Sequence, residues 1–170
     1  SEMCIRDRVN AANVDKDWAW VNLVREARVM IDPERPWSRA LGTETVTIRN
    51  LRDERALFAL QGPRSQEILL TLLEEDDPLR DTLEEMKRNE IIHARLAGYD
   101  LYLSRTGYTG EPVAFEIFVH PAAAPALWHA LLEEGEPFGL KPAGLGARDS
   151  LRIEAGPVSY THLTLPTNRE

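Results

Sequence analysis

The chain has 170 residues, with 20 Lys plus Arg against 28 Asp plus Glu and a formal net charge of −8. So acidic a surface repels phosphate backbones and anionic headgroups, which argues against general nucleic-acid or membrane-surface binding, and no stretch approaches the ~20 apolar residues that span a bilayer. The single cysteine, Cys4, rules out an internal disulfide and a cysteine cage for a metal, a usage that fits a cytoplasmic protein.

In chain order, residues 1–8 (SEMCIRDR) lack a signal peptide's apolar core. Residues 158–170 (VSYTHLTLPTNRE) continue neither a helical nor a strand pattern. Both strings resemble translated sequencing-adapter read-through, so the expected natural segment is residues 9–157 and functional reasoning is confined to it. Val9–Asn13 reads as the end of a strand entering a helix that Asp15 can cap. Pro33, Pro36 and Gly42 make Asp32–Gly42 a linker, with a substructure boundary expected near residues 32–43. Thr45–Ile48 and Ala56–Leu60 read as short strands, the second stopped by Gln61-Gly62-Pro63. Ser65 is placed to cap the next helix, with Ile68, Leu69 and Leu72 on its buried side and Glu74–Asp77 as an acidic exit.

Ile91–Ala97 and Asp100–Ser104 flank Gly98-Tyr99, a hairpin signal, and Ala114–His120 is a further strand. Pro121–Glu134 reads as a helix ended by Gly135, and Pro142 and Gly156 bracket the last helix. Hairpin-linked strands and separate helices, without βαβ alternation, predict an α+β fold of antiparallel sheets with flanking helices.

Three stretches could carry chemistry. In Arg105-Thr106-Gly107-Tyr108-Thr109-Gly110-Glu111, two glycines flank Tyr108 and Thr109. They permit positive φ and close backbone approach, and present the ring either to a flat heterocycle or, as a plain turn, to the edge of the core. Strand alternation in Ala114–Val119 puts Phe115, Ile117 and Val119 on the core face and leaves Glu116 between Ala114 and Phe118 on the other. That Glu116 is either a pocket wall, whose two oxygens suit a fork of N–H donors, or a surface partner for an arginine. In the last helix Gly144, Ala147, Arg148 and Leu151 share a stripe, so Arg148 emerges from a small-residue face, as a site residue or as half of a structural ion pair. Helical glycines at Gly144 and Gly146 suggest a close approach there. His93, His120 and His129 have no metal-ligand spacing and read as surface residues, so no metal is expected.

Taken together, Val9-Asn10-Ala11-Ala12-Asn13, Leu60-Gln61-Gly62-Pro63, Ser104–Glu111, Phe115-Glu116-Ile117 and Gly139–Gly156 resemble the aminomethyltransferase (T-protein) family of the glycine cleavage system, in order and spacing across residues 9–157. Pro112-Val113-Ala114 departs from the family, which has two residues there, so the loop could shift while Glu116 keeps its register. The resemblance implies a partial folate-binding domain in which tetrahydrofolate, the acceptor substrate, lies against Tyr108. Glu116 would take the pterin's ring N–H and amino group, Asn10 would add an amide contact, and Arg148 a positive charge. It also implies a lipoylated H protein as partner. The family's catalytic aspartate lies upstream of the Val-Asn-Ala motif, so no catalytic residue is assigned, and the chain alone is expected to be inactive. The alternatives are the folate domain of dimethylglycine and sarcosine oxidases and a non-catalytic acidic interaction module.

Overall fold

The computed structural model describes residues 13–29, 32, 34–35 and 47–155. The chain forms two compact units, Ser1–Asn50 and Leu51–Glu170. In the first, helix α1 (Val14–Arg25) begins after Asn13, with Asp15 and Asp17 inside its first turn and no side-chain cap. Asp15 therefore acts on the positive end of the helix dipole from within rather than as the cap expected from the sequence. The expected strand end at Val9–Asn13 and linker at Asp32–Gly42 fall largely outside the described residues, and Thr47 and Ile48 of the expected Thr45–Ile48 strand have no regular structure.

The second unit is built on β1 (Ala56–Gln61), β2 (Ile91–Leu96), β3 (Tyr99–Ser104) and β4 (Ala114–Val119). They form one antiparallel sheet in the order β1-β4-β3-β2. Register pairs Phe58 with Ile117, Leu60 with Phe115, Leu103 with Ile117, and Ala94 with Leu101. Because side chains alternate along each strand, these residues share one face, and that face is the core. Three helices cover it: α2 (Ser65–Thr71), α3 (Leu79–Glu85) and α4 (Ala124–Gly135). They contribute Ile68 and Leu69, Leu83, and Leu127 and Leu131 to a cluster with Leu96, Leu103, Phe115, Ile117 and Val119. Phe58 meets Trp128 of α4 with ring centroids 5.5 Å apart. The arrangement is the expected α+β fold, a sheet with helices on one side.

Local details depart from the sequence reading for identifiable reasons. Ser65 does not cap α2; it is the first helical residue, 2% exposed, its N–H donating to the Gly62 carbonyl. At the other end, the Arg80 guanidinium donates to the Leu70 carbonyl at 2.8 Å, satisfying one of the groups a helix end leaves open. Helix α3 has no counterpart in the sequence reading, although Leu79, Leu83 and Met86 repeat at helical spacing. Gly135 ends α4 as expected, and a short 3-10 turn (Glu136–Phe138) follows, closed by Gly139 at φ 79°. Gly135 also serves packing, since a Cβ there would stand 2.6 Å from Leu140 Cβ. The last helix, α5 (Leu145–Glu154), starts after Gly144, whose ψ of 176° is extended. Among the described residues nothing lies within 4 Å of a Cβ built on Gly144 or Gly146, so the expected close approach at these glycines is not made by them.

The β2–β3 hairpin turns through Ala97 (φ 48°) and Gly98 (φ 82°), both left-handed. This is the conformation of a type I′ turn, which suits the right-handed strand twist and favours Asn-Gly. Alanine in this region costs about 1–2 kcal/mol, a penalty that Asn largely escapes. Ala97→Asn should therefore raise the unfolding free energy by about 0.5–1 kcal/mol, read as a higher urea midpoint with an unchanged slope.

Candidate functional site

The sheet face opposite the helices carries Leu57, Ala59 and Gln61 of β1, Ala114, Glu116 and Phe118 of β4, and Tyr102 and Ser104 of β3, as the register dictates. Residues 105–113 connect β3 to β4 at one end of this face. A side chain of the neighbouring strand β1 helps to hold the loop. Gln61 ends β1 opposite Ala114. Its Oε1 accepts the Tyr108 N–H and the Thr109 hydroxyl, each at 3.1 Å, while its Nε2 donates to the carbonyls of Phe115 (3.3 Å) and Leu60 (3.4 Å). The amide orientation follows from its partners, because an N–H needs an acceptor and a carbonyl needs a donor.

Two glycines let the loop come this close. A Cβ on Gly107 would stand 2.3 Å from Ala114 Cβ and 2.6 Å from Gln61 Oε1. Gly110 has φ 81°, and a Cβ there would fall 2.2 Å from Ala155 Cβ at the end of α5. Beyond the loop, Gly62 N–H donates to the Val113 carbonyl at 3.1 Å, and Glu116 keeps its register opposite Ala59 and Ser104.

Glu116 is 6% exposed, so it is not a surface glutamate. Burying a carboxylate is tolerated only when donors surround it. Thr106 Oγ1 donates to Glu116 Oε2 at 2.5 Å, and the Ser104 and Thr106 hydroxyls lie 2.9 Å apart. An ionised carboxylate is acceptor-only and offers about four lone-pair directions, the kind of group that a side-by-side pair of N–H donors matches. On the other side of the loop, the Arg148 guanidinium sits over the Tyr108 ring, 4.9 Å from its centroid, a cation–π geometry. Among the described residues, then, nothing packs closely on the stripe of α5 from which Arg148 reaches Tyr108.

Three of the four residues singled out from the sequence therefore meet around one loop: Tyr108 within it, Glu116 on the strand that follows, and Arg148 against the tyrosine. The fourth, Asn10, lies outside the described residues. Gln61 and Thr106 are not among the site residues expected from the sequence. The sequence offers only a weak signal for either: a lone amide closing an apolar strand, and a threonine before the first loop glycine. Beside the loop, a cavity of about 60 Å³ is lined by residues that include Arg88, Arg105, Thr106, Gly107 and Glu111. The Arg105 guanidinium donates to the Met86 carbonyl, and its Nε is buried without a partner. Among the described residues no three His, Cys, Asp or Glu side chains gather as metal ligands, and no helix is long and apolar enough to cross a membrane. His120 caps the turn before α4, its Nδ1 accepting the Ala122 N–H at 3.2 Å.

The Thr106 hydroxyl donates directly to the buried carboxylate. Thr106→Val should lower stability by about 1.5–3 kcal/mol, the scale of a hydrogen bond to a charged group. Thr106→Ser, which keeps the hydroxyl, should recover most of the loss in the same urea titration.

Residues 7–168 match the family model described as the GCVT N-terminal domain. The aminomethyltransferase of Caldanaerobacter subterraneus subsp. tengcongensis is 41% identical over 152 residues, covering 87% of this chain and 34% of that relative. The aminomethyltransferase of Deinococcus deserti is 39% identical over 154 residues, with coverages of 91% and 36%. That of Symbiobacterium thermophilum is 42% identical over 159 residues, again covering 91% and 36%. The chain spans about a third of the length of the curated relatives it matches.

Proposed function

The chain belongs to the GCVT N-terminal domain family, and on that premise we propose that residues 9–157 form part of the folate-binding wall of a cytoplasmic aminomethyltransferase of the glycine cleavage system. The complete enzyme takes the aminomethyl group carried on the lipoyl arm of its H-protein partner. It releases ammonia, passes the methylene to tetrahydrofolate to give 5,10-methylenetetrahydrofolate, and leaves the lipoyl arm as the free dithiol. The observation that carries this reading is the buried Glu116, held by Thr106 on the sheet face from which the Tyr108 loop springs.

The residues present fit such a substrate. A pterin's aminopyrimidinone edge offers a ring N–H and an amino N–H side by side, the match for an acceptor-only carboxylate. Tyr108 provides a flat apolar surface for the ring system. Arg148, already drawn to Tyr108, supplies a cation for the polar end of the substrate. Asn10 adds an amide contact to the pterin region in this reading. What these side chains contribute is binding and orientation. Fixing the acceptor nitrogens turns an encounter between two carriers into a reaction between positioned groups. Excluding water around the buried carboxylate strengthens each polar contact made there.

Replacing Glu116 with Gln in the complete protein exchanges one acceptor oxygen for an NH2 group, which meets a pterin donor with a donor of its own. Tetrahydrofolate affinity should fall by about 1.5–3 kcal/mol, measured by calorimetry on folded protein; an unchanged affinity would remove Glu116 from the site. The tyrosine separates two explanations of its own role. Tyr108→Phe, which keeps the ring face, should bind tetrahydrofolate better than Tyr108→Leu. If the two variants are equally impaired, the hydroxyl and not the ring is the contributing group.

A further inference from the structure

We infer that Gln61 is a positioning residue for Tyr108: its side-chain amide sets the height and orientation of the ring against which the substrate is proposed to lie. The inference rests on the folate reading above. Gln61 makes four side-chain hydrogen bonds, two into the loop and two to strand carbonyls, and so ties the backbone of Tyr108 to β1 and β4 at once. Strand pairing does not require this. The backbone of Gln61 is already in register with Ala114, and any side chain could occupy the end of β1.

The Gln61 side chain is engaged from three sides. Its oxygen receives the Tyr108 N–H and the Thr109 hydroxyl. Its nitrogen faces the Phe115 and Leu60 carbonyls. Gly107 packs so close that a Cβ there would stand 2.6 Å from its oxygen. No other common side chain meets these demands. Glutamate would present a negative oxygen to two carbonyls. Asparagine is one methylene short. Methionine has the length but neither a strong acceptor nor a donor. Phe115, one of the two carbonyl partners, directly precedes Glu116. The same amide therefore ties the aromatic contact to the strand that bears the carboxylate, the two elements proposed to grip one heterocycle.

The test uses the complete enzyme with tetrahydrofolate as the probe. Gln61→Met, Tyr108→Leu and the double variant are compared for tetrahydrofolate affinity, for KM and kcat, and for hydrogen exchange at the Tyr108 amide. Gln61→Met should weaken tetrahydrofolate binding about tenfold, the scale of two lost hydrogen bonds. It should raise KM for tetrahydrofolate with kcat little changed, and speed exchange at the Tyr108 amide. In the Tyr108→Leu background the same change should add little, because its effect passes through the ring.

Normal affinity in Gln61→Met together with weakened binding in Tyr108→Leu overturns the inference and leaves the folate reading standing. Normal affinity in both overturns the two together. Losses that multiply in the double variant also overturn it, since Gln61 would then act on the ligand or on stability by another route. Should Gln61→Met fail to fold, Gln61→Glu is read in its place. It keeps the acceptor for Tyr108 and loses both donations to carbonyls, so its affinity should lie between those of the parent and Tyr108→Leu; parental affinity there overturns the inference.

Discussion

The pairing of β1 with β4 is the constraint on which the site depends. It joins Ala56 to Val119 and Gln61 to Ala114, bringing the end of one strand beside the start of another. The face turned to the helices buries Phe115, Ile117 and Val119, and that burial drives the pairing. The opposite face is fixed as a consequence. Once Phe115 and Ile117 are committed to the core, Glu116 has to point the other way, whatever the cost of desolvating its carboxylate. The core thus enforces the placement of a buried acid on this face, where the Thr106 hydroxyl, itself paired with that of Ser104, donates to it.

The charge pattern around the site differs from that of the chain as a whole. With a formal charge of −8 the protein repels anions at long range. Near the loop, however, Arg88 and Arg105 line the small cavity and Arg148 stands over Tyr108. A ligand with a neutral heterocycle and an anionic tail would meet local cations within an acidic surface. Specific contacts over a few ångströms, rather than a general attraction, then decide what is held.

Much of this arrangement can be read from the amino-acid sequence, and the parts that cannot share a cause. Strand alternation places Glu116 opposite the core without any knowledge of its neighbours, and two glycines mark the loop around Tyr108. These are local signals, carried by residues close together in the chain. Gln61 escapes such a reading because its partners Tyr108 and Thr109 lie 47 and 48 positions away. Helix α3 is a different matter: Leu79, Leu83 and Met86 are in helical register, but the acidic residues around them mask the apolar stripe that buries Leu83 and Met86. Glycines are read less surely. Gly144 and Gly146, conspicuous in sequence, meet nothing among the described residues, while Gly135, where α4 ends, is also crowded by Leu140. Whether a glycine is present for close approach or for φ depends on what packs against it, which no local pattern records.

The span between Gln61 and its loop also bears on how the molecule reaches its native state. The β2–β3 hairpin closes through a two-residue turn and can form within microseconds. The β1–β4 ladder must first close a long stretch of chain containing two helices and that hairpin, a slower event governed by loop entropy. Until it does, the Tyr108 N–H has no Gln61 oxygen to meet. The Tyr108 loop therefore gains its Gln61 contacts only once β1 has paired with β4. A ligand held at this loop would stabilise only the state in which β1 is docked, and would slow the opening of that strand.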